Sequence, residues 1–85
     1  MKMEIFSVYD EIAKTFGMPF FAQSAGVAQR SFHSLVLDEK SIVSQHPADY
    51  SLYNIGEFDD ETNSIVSLNP PSLIIRASQI QRPVS

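Results

Sequence analysis

Eighty-five residues suffice for one domain with one modest core and are too few for two. A net charge of −4 argues against binding nucleic acid chiefly by neutralising phosphates, and the absence of cysteine excludes disulfides and thiolate metal sites. The chain is 44% hydrophobic, with six Phe and three Tyr, which points to a core built on aromatic packing. No apolar run approaches the roughly 18 residues of a membrane span, and the N-terminus is too acidic for a signal peptide, so a cytoplasmic protein is expected.

Lys2 to Tyr9 reads as the first strand, with high β-propensity through Ile5, Phe6, Val8 and Tyr9. Glu4, on the side of Phe6 and Val8, gives it a solvated start. Between Asp10 and Phe16, the spacing of Ile12, Ala13 and Phe16 suits one or two helical turns closed by Gly17, or an irregular connection. Pro19 stops any helix, and Phe20 and Phe21 cannot share one face of a strand. One is expected in the core and the other partly exposed. Ser24 is a good N-cap for the main helix, Ser24 to Leu37, whose apolar stripe is Ala28, Phe32, Leu35 and Val36. Asp38 is read as the cap of a second short helical segment, Glu39 to Gln45, with Ile42 and Val43 inward. His46 before Pro47 ends it.

The stretch from His46 to Leu68 carries the clearest instruction, a β-hairpin. Its first arm is Tyr50 to Phe58, with Leu52, Asn54, Gly56 and Phe58 on one face and Tyr53 and Ile55 on the other. Gly56 inside the strand suggests a bulge or a close backbone approach. Residues 59–63 form a polar turn, and Ser64 to Leu68 returns antiparallel. Asn69-Pro70-Pro71 then reads as a stop and a helix start, with Leu73, Ala77 and Ile80 spaced for a short C-terminal helix; a strand through residues 72–75 is the competing reading. Gln81 to Ser85 is expected to fray. The fold expected is one α+β domain over residues 1–80, a small antiparallel sheet of about three strands packed against one main helix.

Little in the sequence carries reaction chemistry. Glu57, Asp59, Asp60 and Glu61 lack the alternating spacing of a calcium loop and read as a solvated hairpin tip. His33 and His46 are not ligand-spaced, and no nucleophile elbow, phosphate loop or metalloprotease motif occurs. No catalytic residue, metal or cofactor is therefore expected, and no enzyme. The six Lys and Arg residues do not cluster along the chain. Arg30 with Phe20, Phe21 and Phe32 is the candidate surface for single-stranded nucleic acid, where ring stacking gives roughly 1–3 kcal/mol per base. Lys14 and Arg76 join it if they converge on one face. The alternative leaves Phe32 in the core and Arg30 as an ordinary surface charge.

The opening IFSVYDEIAKTF, the segment MPFFAQSAGVAQRSF and the run HPADYSLYNIGEFDDETN together resemble the small nonstructural protein of gokushovirus-type microviruses, phages with single-stranded circular DNA. The resemblance covers Met1 to Leu68. Its most specific piece is H-P-x-D-Y-x-L-Y-x-I-G-x-F-D, from His46 to Asp59, supported by P-F-F from Pro19 and R-S-F from Arg30. It implies a non-enzymatic accessory protein of the bacterial host cytoplasm that binds DNA. Such a protein would act in the switch from genome replication to single-stranded DNA synthesis and packaging. Arg30 and its neighbouring aromatics would be the DNA surface. The rival reading is an adaptor that binds a replication or procapsid protein through a sheet edge or Phe20–Phe21 without touching nucleic acid, and the net charge favours it. Either form admits a homodimer that pairs sheet edges; neither involves a membrane.

Overall fold

The computed structural model describes residues 1–80. Its strands are β1 (Lys2–Asp10), β2 (Thr15–Phe16), β3 (Phe20–Ala22), β4 (Tyr50–Asp59) and β5 (Ser64–Arg76). Between β3 and β4 lie the helices α1 (Ala25–Leu37) and α2 (Ile42–Gln45). Single 3-10 turns at Pro47–Asp49 and Ala77–Gln79 lead into β4 and follow β5. β1 is the axis of the sheet: β4 runs antiparallel along one edge for its whole length, while β2 and β3 take the other edge in succession. β5 pairs outside β4, and the five antiparallel strands curl into a half-barrel.

One face of the sheet is covered by α1. Ser24 caps the helix by accepting the Val27 N–H at 3.3 Å, and the Asp38 N–H closes its end on the Ser34 carbonyl. Ala28, Phe32 and Val36, four residues apart, all face inward and meet Phe6 and Leu52 from the two central strands. Val43 of α2 and Ala77 and Ile80 after β5 close the margins of this core. Phe6, Phe32 and Leu52 are fully enclosed, each contributing about 1.5–3 kcal/mol by burial. Leu35 and Ile42, expected inward, are exposed.

The α+β expectation of about three strands is corrected by this architecture, which is mostly β, about 46% strand. Two departures account for it. Residues 11–14 make a tight turn, not a helix: the Asp10 carboxylate accepts the Ile12 and Ala13 N–H groups, Lys14 takes a left-handed backbone, and β2 folds back on β1. Phe20 to Ala22 then adds β3 on the same edge. The expected C-terminal helix is likewise replaced by a strand. Pro70 and Pro71 fall where the β4–β5 register jumps, between the Asn54–Ser72 and Gly56–Ser67 pairs, so neither ring has to supply a ladder hydrogen bond. The Asn69–Pro70 peptide is cis. β5 is also an edge strand, and beyond the prolines Leu73, Ile74 and Ile75 continue it. The expectation of a frayed tail at 81–85 lies outside the described residues.

Gly56 marks a real bulge. A Cβ there would sit 2.6 Å from the Val66 carbonyl oxygen. Ile55 has no opposite number on β1, because Gly56 pairs with Ile5 and Asn54 with Phe6. The extra residue exchanges the faces beyond it. Gly56 and Phe58 therefore join Tyr53, on the side away from Leu52, which corrects the alternation expected for this strand.

Candidate binding face

Among the described residues no helix lies over the second face of the sheet, and that face is aromatic. Cross-strand partners point to the same side, so the register defines its rows. Tyr9 lies between Phe16 and Ser51, and Ser51 is followed on β5 by Arg76. Ser7 pairs with Tyr53, and Tyr53 with Leu73. Ile5 lies between Phe21 and Gly56, and Met3 beside Phe58, which pairs with Ile65. No strand position on this face carries a carboxylate. Glu4 and Glu57 point to the helix side, where Glu4 accepts from the Asn54 amide at 3.0 Å and Glu57 meets the Lys2 ammonium at 3.4 Å.

Two ring clusters occupy the face. Tyr9, Phe16 and Tyr53 form a triad with centroids 4.7, 5.8 and 5.6 Å apart, in tilted and edge-on contacts. Phe21 and Phe58 stand 5.7 Å apart over Ile5, a buried apolar side chain that does not belong to the helix-side core. Phe21 is 51% exposed, Phe16 and Leu73 each 42%. The buried Ser7 hydroxyl donates to the Gly17 carbonyl at 2.8 Å, and the Gly17 N–H bonds the Val8 carbonyl. These bonds fix the link between β2 and β3, and with it Phe16 and Phe21 on one surface. The β5 register jump places Pro70 and Pro71 beside Tyr9, Phe16 and Tyr53, and Glu11 completes the rim of a recess of about 380 Å³.

The residues singled out from sequence do not converge. Phe32 is core at 2% exposure, and Phe20 packs on it from β3, 5.9 Å from Phe6. Arg30 is on the exposed side of α1, beside Gly26, Gln29 and His33, with the core and the sheet between it and the aromatic face. Lys14 sits in the β1–β2 turn at the margin of the face. Only Phe21 and Arg76 lie on it. Tyr9, Phe16, Tyr53 and Phe58 were missed. The signal was present in β1, where Ile5 and Tyr9 alternate with Phe6 and Val8: a strand apolar on both sides asks for cover on both.

Some titratable groups elsewhere are engaged structurally. The hairpin tip holds the chain's N-terminus, with the Met1 ammonium 2.7 Å from Asp60 and 3.5 Å from Glu61; the Asp60 hydrogen bond raises the pKa of that amine. Desolvation, with the Asp10 charge second, raises the pKa of Tyr50. Among the described residues no three His, Asp or Glu side chains converge as metal ligands, and no helix is long and apolar enough to cross a membrane.

A family model described as Phage ORF5 protein matches residues 3–80, nearly the whole described chain. No curated protein and no solved structure matches.

Proposed function

We propose that this chain, which belongs to the Phage ORF5 protein family, is a non-enzymatic accessory protein that binds single-stranded DNA on the open aromatic face of its sheet. The observation that carries the reading is the segregation of the two faces. Among the described residues, five aromatic rings share a surface with no carboxylate on its strands and one arginine, while the strand carboxylates Glu4, Asp10, Glu57 and Asp59 are on the other side. Bases stack on such rings without regard to sequence, and a stacking platform tolerates a net negative charge as long as most of the charge is elsewhere, as it is here apart from Glu11 at the recess rim. A protein of this kind, covering phage single strands in the host cytoplasm, suits a role in turning genome replication toward single-stranded synthesis and packaging. The resemblance over residues 1–68 supports that role.

The test is fluorescence anisotropy with a labelled oligodeoxynucleotide. Tyr53→Ala and Phe21→Ala should each weaken binding roughly tenfold, the loss of about 1–3 kcal/mol of stacking. Arg30→Ala, on the far side of the molecule, should not change it. The adaptor reading has one specific observation in its favour: Lys14, Arg30 and Arg76 do not share a face. Absence of DNA binding at micromolar protein in low salt, together with a defined complex with a phage replication or procapsid protein that Tyr53→Ala breaks, would replace the first reading with that one.

A further inference from the structure

We infer that the recess bounded by Tyr9, Phe16, Tyr53, Pro70 and Pro71 is a base-recognition pocket, in which the Glu11 carboxylate reads the Watson–Crick edge of a single unpaired guanine. This rests on the single-strand-binding reading above and adds a base preference to it.

The walls and the rim differ in chemistry. Three rings and two prolines form apolar walls, and the recess, about 380 Å³, falls within the range of roughly 300–1,000 Å³ typical of small-ligand sites. A flat heterocycle fits such walls, stacking on one ring and meeting another edge-on. Among the described residues the rim carries one charge, and it is negative. Glu11 is half-buried, and its backbone is fixed at both ends of the turn: its N–H donates to the Asp49 carbonyl at 2.8 Å, and the Asp10 carboxylate holds the next two N–H groups. Among the described residues its own carboxylate has no hydrogen-bond or ion-pair partner.

An unpartnered carboxylate on an aromatic recess repels phosphate and accepts only from donors, so the part of a nucleotide that enters is the base. The bases differ in what they offer a carboxylate. Guanine presents adjacent donors, N1–H and the N2 amino group, which match the two carboxylate oxygens in parallel. Cytosine and adenine present one amino donor beside a ring-nitrogen acceptor. Thymine presents one N–H between two carbonyl oxygens, which face the carboxylate with like partial charge. The order expected is guanine first and thymine last. The strand's phosphates are left to Arg76, on the same face two strand spacings from Tyr9, about 10 Å.

The experiment titrates the full chain against labelled oligothymidines of one length whose central base is thymine, guanine or hypoxanthine. Hypoxanthine keeps the guanine N1–H and lacks the N2 amino group. The guanine probe should bind roughly tenfold tighter than the thymine probe, as a bidentate base contact gives, with hypoxanthine between them. Glu11→Gln, checked for native circular dichroism, should erase the guanine advantage, because an amide offers one acceptor oxygen and turns a donor toward donors. Equal binding of the three probes, or a guanine advantage that survives Glu11→Gln, overturns the pocket while leaving the stacking face intact. Binding of none of them overturns both. A proline-rich peptide that occupies the recess in place of every nucleotide probe would also overturn the pocket, since aromatic grooves take such peptides as well.

Discussion

Single positions decide this fold where backbones come close. Gly56 and Gly26 are both non-alanine sites inside regular structure, yet their surroundings predict opposite signs. A methyl at Gly56 would meet the Val66 carbonyl oxygen at 2.6 Å, inside the β4–β5 ladder, so the backbone must shift. Gly56→Ala should therefore destabilise by about 1–3 kcal/mol, the range for forced overpacking. At Gly26, in the first turn of α1, the nearest atom to an added methyl is the Ser24 hydroxyl at 3.8 Å. Gly26→Ala should stabilise by about 0.4–1 kcal/mol through the unfolded chain's lost freedom. Urea denaturation of the two variants checks both, and a common sign would contradict the geometry. Tyr50 supplies a pH test of the same scale. Its raised pKa means that the folded state holds the phenol proton more tightly than the unfolded one. The stabilisation is whole below the ordinary tyrosine value of 10.0 and is lost as pH rises through the higher folded value. Thermal melts should show a fall in stability above that pH which Tyr50→Phe diminishes.

At the scale of elements, the sequence was legible wherever one physical signal dominated. Ser24 as cap and the four-residue spacing of Ala28, Phe32 and Val36 define α1, and the helix is there. The arms and tip of the 50–68 hairpin were equally plain, because an aromatic alternating run, a polar turn and an apolar return leave few alternatives. The rest was hidden by competition between signals. Ile12, Ala13 and Phe16 have helical spacing, but the turn closes after the single bond from the Lys14 N–H to the Asp10 carbonyl, Lys14 goes left-handed, and a hairpin results. Pro70-Pro71 has the look of a helix start, but at a register jump in an edge strand proline loses nothing. The bulge at Gly56 was foreseen and its consequence was not: one unpaired residue moved Phe58 to the face of Tyr53, and with that shift the aromatic surface took shape. Phe32 shows what the error does to a functional reading. As part of a DNA surface, its removal would weaken binding in a stable protein; as the residue that seats α1 on Phe6 and Leu52, its removal should cost about 3–5 kcal/mol of stability. Phe32→Ala should lower the unfolding free energy from urea denaturation by that amount, and binding by molecules that remain folded should be unchanged.

Over the whole molecule, the arrangement of charge matters more than its sum. The chain extends 47 × 24 × 18 Å, and all three of its ion pairs among the described residues gather at one end, where Met1 and Lys2 meet Asp60, Glu61 and Glu57. Those pairs engage part of the acidic hairpin tip. Of the remaining cations among the described residues, Arg76 is on the aromatic face, Lys14 at its margin, Arg30 on the other side of the sheet and Lys40 in the link between α1 and α2. A strand lying on the face therefore meets two cations of the described residues. For single strands the logarithm of affinity falls with the logarithm of salt by about 0.7 per phosphate neutralised, which gives a slope of about −1.4 from these two. Stacking, which salt hardly screens, must supply the rest. If the aromatic face binds single-stranded DNA as proposed, it does so with modest affinity that persists at salt concentrations where a basic groove of 6–10 phosphate contacts would have lost about three to five orders of magnitude. Arg76→Ala should flatten the slope by about 0.7 and leave a measurable affinity, whereas Tyr53→Ala should lower the affinity and leave the slope as it was. A slope of about −3 or steeper would require more phosphate contacts than the described residues of this face have cations to make, and would move the DNA to a surface other than the aromatic sheet.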